Sequence, residues 1–189
     1  MIRGTKTYLR ALEHDDLPHF VRWINDPQVR RFLVIRYPLS MAEEEKWWQG
    51  FLQRQNDYIF AIVADDGTYI GNIGLHDVEH ENRRAELGIV IGEKAYWGRG
   101  YGSDAIQAML HWALDFLNLN RVWLRVYAYN ERAIRCYQKC GFRHEGTLRQ
   151  ARYLDGRYFD EWIMGLLRDE FRAGLPAGPT GRAGPGQTV

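Results

Sequence analysis

From Thr5 to Leu167 the apolar positions switch repeatedly between a period of two and a period near 3.6. Thr5–Leu12 alternates as a strand. Leu17, Phe20, Val21 and Ile24 then fall at i, i+3, i+4 and i+7, one face of a helix that Asp15 or Asp16 is placed to cap. Asn25-Asp26-Pro27 breaks it. Ser40-Met41-Ala42-Glu43 spells a capping box and opens a second helix with Trp47, Trp48, Phe51 and Leu52 on its apolar side. Tyr58–Ala64 and Tyr69–Leu75 form a predicted hairpin across Asp65-Asp66-Gly67. Ala85–Ile91 is a further strand, Asp104–Leu117 an amphipathic helix, Val122–Tyr127 a strand and Glu131–Cys140 a helix. Phe142–Arg152 and Arg157–Leu167 make a last hairpin about Asp155-Gly156. The predicted order is β-α-α-β-β-β-α-β-α-β-β, an α/β (α+β) fold with a mixed sheet covered by helices.

The 189 residues suit one domain with its own core. Residues 5–172 carry the periodic pattern. Ala173–Val189 holds five glycines and three prolines in 17 residues, too little apolar surface to offset the entropy of ordering it, and reads as a flexible tail. With 25 Lys+Arg against 24 Asp+Glu the net charge is +1, which gives no general attraction to nucleic acid or to an anionic membrane. Uncharged apolar runs such as Leu87–Gly92 are far short of the roughly 20 residues of a membrane span, and no apolar signal segment follows Met1. A cytoplasmic location is expected.

Tyr96-Trp97-Gly98-Arg99-Gly100-Tyr101-Gly102-Ser103 lies between a strand and a helix start. Alternate glycines let a backbone approach a ligand closely, and the first N–H groups of a helix attract an anion, so the segment reads as a phosphate site. It is not a nucleotide P-loop, because no Lys follows the glycines. It is not a dinucleotide fingerprint either, because the third glycine comes one residue early, at Gly102.

The loop resembles the coenzyme A pyrophosphate loop of the GNAT superfamily of N-acetyltransferases, with Gly100 and Gly102 at its two glycines and Trp97 where that family carries Arg or Gln. Arg83–Gly88 resembles the strand before that loop, and Asn130–Phe142 resembles the family's Asn-x-x-Ala-x-x-x-Tyr-x-Lys-x-Gly-Phe segment. His144–Arg149 and Asp155–Asp160 are similar to the branch that holds ribosomal-protein N-terminal acetyltransferases and spermidine acetyltransferases. The resemblance implies an acetyl-CoA-dependent N-acetyltransferase in which Trp97, Gly98, Arg99, Gly100, Tyr101, Gly102 and Ser103 hold the pyrophosphate. It further implies that Ile89, Val90 and Ile91 hold the pantetheine arm and that Asn130 and Ala133 contact the same cosubstrate, although Asn130 also suits a helix N-cap. It leaves a homodimer open.

Acetyl transfer to an amine needs a neutral amine, a polarised thioester carbonyl and a proton for the leaving thiolate. Tyr137 shares a helix face with Asn130 and Ala133, and a phenol with a pKa near 10 suits a thiolate whose thiol sits near 8.5. Tyr137 is therefore the expected general acid. Glu86 stands where family members often keep a carboxylate that works on the amine; an ion pair with Arg83 or Arg84 is the structural alternative. Cys136 is expected to point about 100° around the helix from Tyr137, which favours direct attack over a covalent intermediate.

His76-Asp77-Val78-Glu79-His80 spells an inverted zinc-protease motif, but it sits on a predicted strand end rather than a helix, so no metal is expected. Cys136 and Cys140, one helical turn apart, read as small apolar residues. The predicted acceptor wall, Arg31–Leu39, holds two arginines and no acid, while Glu43, Glu44 and Glu45 fall in a first helical turn where they suit the helix dipole. That charge pattern favours a peptide α-amine over a polyamine, with an amino sugar or similar small amine almost as good. A non-catalytic acyl-CoA-binding module is the remaining alternative.

Overall fold

The computed structural model describes residues 1–174. Residues 175–189, most of the expected tail, lie outside the described residues. The chain runs β1 (Ile2–Arg3), β2 (Thr7–Ala11), α1 (Leu17–Asn25), α2 (Pro27–Arg30), α3 (Met41–Phe51), β3 (Tyr58–Ala64), β4 (Tyr69–Glu79) and β5 (Arg84–Ile91). It continues with α4 (Tyr101–His111), β6 (Arg121–Tyr127), α5 (Glu131–Lys139), β7 (Arg143–Leu154), β8 (Arg157–Leu167) and α6 (Arg168–Gly174). The predicted order is present, with β1, α2 and α6 added as short elements. Among the described residues no helix is long and apolar enough to cross a membrane.

The strands form one sheet in the order β1-β2-β3-β4-β5-β6-β8-β7. All neighbours are antiparallel except β5 and β6. Helices α4 and α5 cover one face and bury Ile106, Met109, Leu110 and Ile134 with Leu75, Leu87, Val122 and Met164 of the sheet. Each such side chain contributes about 1.5–3 kcal/mol when fully buried. A smaller cluster, Leu12, Leu17, Trp48 and Ala61, joins α1 and α3 to the sheet.

Several boundaries differ from the periodic reading for local reasons. Asp16 does not cap α1; its carboxylate takes a two-pronged bond from Arg10, 2.7 Å on each oxygen, and a bond from the Glu13 N–H. Asp26 restarts the chain as α2 by accepting from the Gln28 N–H at 2.8 Å. The Ser40 capping box is formed, with Glu43 accepting from the Ser40 N–H at 2.9 Å. Helix α4 begins at Tyr101, three residues before Asp104, because Gly100 at φ 90° turns the chain straight into it. Asp104 instead accepts from the backbone N–H groups of Thr5, Lys6 and Thr7, each at 2.9 Å, and so ties the start of β2 to the helix. After His111 the helix loosens into a π-helical turn, Trp112–Phe116.

Candidate active site

The parallel pair β5–β6 is joined only at Arg84↔Arg121, Ala85↔Val122 and Glu86↔Trp123. Beyond these residues the strands part. β5 continues to Ile91 beside β4, and β6 continues to Tyr127 beside β8, so each keeps its outer partner and loses the inner one. Half the peptide groups of Leu87–Ile91 therefore face a fork rather than a strand. A cleft of about 860 Å³ fills the fork. Its walls are Glu86–Ile91 and Arg125–Tyr127, and Asn130, Ala133, Cys136 and Tyr137 of α5 also line it.

At one end stands the glycine loop. Gly98 and Gly100 have φ of 71° and 90°, a left-handed backbone that favours glycine. A Cβ on Gly98 would meet nothing within 4 Å, and one on Gly102 would meet only Ile91 Cγ1 at 3.7 Å and Cys136 Sγ at 3.9 Å. The loop thus presents open backbone beside the first turn of α4, whose opening N–H groups have no acceptor inside the helix. Trp97 lines the cleft and is fixed from behind by the end of β5. Its indole Nε1 donates to the Ile91 carbonyl at 2.7 Å and its ring lies 3.7 Å beneath the Arg132 guanidinium, which locks the loop to the end of β5.

Twelve of the fourteen residues singled out from the sequence line this cleft: Glu86, Ile89, Val90, Ile91, Trp97, Gly98, Gly100, Gly102, Ser103, Asn130, Ala133 and Tyr137. Arg99 and Tyr101 do not. The Arg99 guanidinium stacks over the Tyr96 and Tyr101 rings, and the Tyr101 hydroxyl donates to Asp65 at 3.1 Å, so both side chains turn away from the cleft. Asn130 is the N-cap of α5, accepting from the Ala133 N–H at 3.3 Å.

Glu86 pairs with neither Arg83 nor Arg84. Arg84 is taken by Glu79 and Arg83 by Asn118, while Glu86 accepts from Arg125 Nε at 3.0 Å across the fork. Tyr137 is buried, and burial pushes its phenol well above the ordinary value, so it carries its proton at neutral pH. Cys136 also lines the cleft, which corrects the expectation that it points elsewhere. Its sulfur stands beside Gly102, at the loop end, and a hydrogen bond with Cys140 holds its thiol below the usual range.

Two further features lay outside the sequence reading. Glu44, assigned there to the helix dipole, is 3% exposed and lines the cleft with Phe20, Ile24, Leu33 and Trp47, away from the glycine loop. Burial raises its carboxyl pKa to about 7. The signal was available, since Glu44, Trp48 and Phe51 follow the spacing of one inward helix face. The second feature is charge: Arg132, Arg135 and Lys139 line the loop end, and Lys6 Nζ donates to the Arg99 carbonyl at 3.1 Å. Cations, free helical N–H groups and open glycine backbone together suit a pyrophosphate, and the unpaired strand edge suits the amides of a pantetheine arm.

An "Acetyltransferase (GNAT) domain" family model matches residues 6–143. The chain is 33% identical over 172 residues to the uncharacterised N-acetyltransferase YoaA of Bacillus subtilis (strain 168), covering 89% of this chain and 97% of that one. It is 29% identical over 165 residues to the spermidine N(1)-acetyltransferase of Escherichia coli (strain K12), covering 87% and 88%. Among solved structures, the spermidine N-acetyltransferase of Vibrio cholerae in complex with CoA and spermine superposes with a TM-score of 0.83 at 26% identity, covering 89% of this chain and 99% of that one. With the forked strands and the glycine loop in the expected places, the chain belongs to the GNAT family of acetyltransferases and uses acetyl-CoA as its cosubstrate.

Proposed function

We propose that the acceptor is a primary amine bearing a single positive charge, a peptide α-amine or a compact small amine, and that it enters the cleft beside Glu44. The observation that carries this reading is Glu44, the one fully buried carboxylate among the three acids that line the cleft; Glu86 is held by Arg125, and Glu161 is half-buried. One buried carboxylate without a cationic partner among the described residues matches one ammonium. A polyamine needs several, and Arg31 and Arg36 stand in the adjoining segment. The polyamine reading keeps support from the spermidine acetyltransferases among the relatives. An α-amine, with a pKa near 8, is also more often neutral at pH 7 than a lysine-like amine near 10.4.

Acetyl-CoA supplies an acetyl group on a thioester. The chain's residues do the rest. Backbone N–H groups of Gly98–Ser103 with Lys6 and Arg132 hold the pyrophosphate, and the free edge of Leu87–Ile91 orients the arm. Glu44 receives the amine and takes up the proton that its nitrogen loses on attack, while Tyr137 gives its proton to the departing thiolate and regains one as the products leave. Glu86, engaged by Arg125, shapes the apex of the fork. The amine attacks directly, in a ternary complex. A thiol-release screen over peptides with free N-termini, amino sugars, aminoglycosides and spermidine tests the acceptor reading. We expect the best peptide or small amine to exceed spermidine at least tenfold in kcat/KM; spermidine in first place overturns it.

A further inference from the structure

Beside the acetyl-transfer cleft lies a second cleft of about 1020 Å³, formed by the 27–36 segment, the start of α5 and the tip of the β7–β8 hairpin. Arg30, Arg31, Arg36, Arg132 and Arg152 line it, against the acids Glu131 and Asp155. Glu131 is already paired with Arg135 at 3.0 Å. Among the described residues none of these five arginines makes an ion pair.

Arg152 is the informative one. It is 2% exposed, yet only Nη2 is bonded, donating to the Leu33 carbonyl at 3.0 Å, while Nε and Nη1 have no partner. Its guanidinium lies 4.7 Å over the Tyr127 ring, and Tyr127 lines the neighbouring acetyl-transfer cleft. A bulge between Leu148 and Arg152, with Gln150 at φ 54°, puts Arg152 out of step with plain strand alternation. A buried guanidinium cannot shed its charge, and burying it without a counter-anion is costly. The Leu33 and Tyr127 contacts leave Nε and Nη1 unpaired.

We infer that this cleft binds an oxyanion, a carboxylate or phosphate carried by the acceptor beside its amine, with Arg152 as the buried anchor and Arg36 at the rim. The two clefts share Phe32, Ile35, Trp97, Asn130 and Arg132, so one molecule reaches both. The inference rests on the single-amine reading above for its placement of the amine, and it adds the second charge.

The test uses the full chain saturated with CoA, at constant ionic strength. Inorganic phosphate and glutarate are titrated separately while Tm is followed. We expect one of them to raise Tm by about 2–4 °C, and the rise to vanish in R152M and shrink in R36Q. Arg36 is exposed, so R36Q reports even if R152M does not fold. No rise in the wild type, or an unchanged rise in the variants, overturns the site. Matched acceptors then identify the source: glucosamine against glucosamine 6-phosphate, and alanine amide against alanine. The anionic member should win its pair at least tenfold in kcat/KM, and R36Q should pull that ratio towards one. A third arm compares CoA with 3′-dephospho-CoA. Affinity lost in R36Q for CoA alone would assign the arginines to the cosubstrate's phosphate and overturn the inference. A retained anion shift with spermidine as best acceptor would overturn the single-amine reading and leave the anion site standing.

Discussion

The Arg125 guanidinium, two residues past Trp123, reaches back to Glu86 in the last pair that joins β5 and β6, Nε to Oε1 at 3.0 Å. The ion pair closes the apex of the fork, and it occupies the carboxylate that sequence reasoning offered as a base. The bond from Arg125 fixes that carboxylate at the apex and takes up the oxygen nearest the opposite strand. E86Q should therefore lower kcat/KM by less than tenfold, with R125M similar. A loss of 10³ or more in E86Q with R125M unaffected would return the base role to Glu86.

Tyr137 is buried with its phenol held protonated and lines the cleft. Y137F should cut kcat by about 10²–10³ while the KM for acetyl-CoA changes little, the pattern of a group that acts in the transition state. Cys136 lines the same cleft, so C136A is the companion variant. Direct attack predicts that it keeps turnover within about threefold and that initial-rate lines intersect. Parallel lines with an inactive C136A would indicate a covalent acetyl-cysteine.

The glycine loop separates two kinds of glycine. Gly100 at φ 90° penalises any side chain through the backbone itself, so G100V should lower stability as well as cosubstrate binding. Gly102 meets only ordinary contacts, with Ile91 at 3.7 Å and Cys136 at 3.9 Å. G102V should keep the wild-type Tm without ligand and lose the rise that acetyl-CoA gives the wild type. A full rise in G102V would mean that the phosphates lie elsewhere.

What could be read from the sequence divides along physical lines. Strands Tyr58–Ala64 and Arg157–Leu167 came out to the residue because local turns, Asp65-Asp66-Gly67 and Asp155-Gly156, fix the ends beside them. The Ser40 capping box is also local and is formed. Long-range partners were not legible: Asp16 binds Arg10, Asp104 binds Thr5–Thr7, and Glu86 binds Arg125 across a strand boundary. Motif spacing gathered twelve site residues into one cleft. It could not show that Trp97 spends its indole on Ile91 or that the Arg99 side chain turns outward.

Asp104 ties the first turn of α4 to the start of β2, accepting from three backbone N–H groups of the 5–7 segment. D104A orphans those donors and should lower Tm by about 5–10 °C. Burial alone would raise the Asp104 pKa, but the hydrogen bonds from Thr5, Thr7 and Lys6 outweigh it and hold the carboxyl below the ordinary value. A depressed folded pKa contributes stability above the unfolded value, near 3.9, which is lost as pH falls through the folded one. D104N should therefore show a shallower decline of Tm below pH 4 than the wild type. An equal slope would place the acid sensitivity in other carboxylates.

Glu44 has the opposite sign. Burial among Phe20, Leu33 and Trp47 raises its pKa to about 7, so the folded chain holds this proton more tightly than the unfolded one does. Its neutral form is accommodated below about pH 4.5, and stability falls as pH rises from there to about 7, then levels off. E44Q removes the charge at nearly constant shape. It should match the wild-type Tm near pH 4.5 and exceed it by several degrees at pH 8, the gap opening between those values. The same substitution should cost activity. If the Glu44 carboxylate receives the amine, E44Q lowers kcat/KM for the best acceptor at least tenfold and flattens the rising limb of the pH profile near 7. The KM for acetyl-CoA should not move, since Glu44 sits on α3, which contributes nothing to the glycine loop or to the free edge of β5. Full activity in a more stable E44Q would show that the amine is received elsewhere, and Glu44 would then be a buried acid tolerated at a cost to the fold.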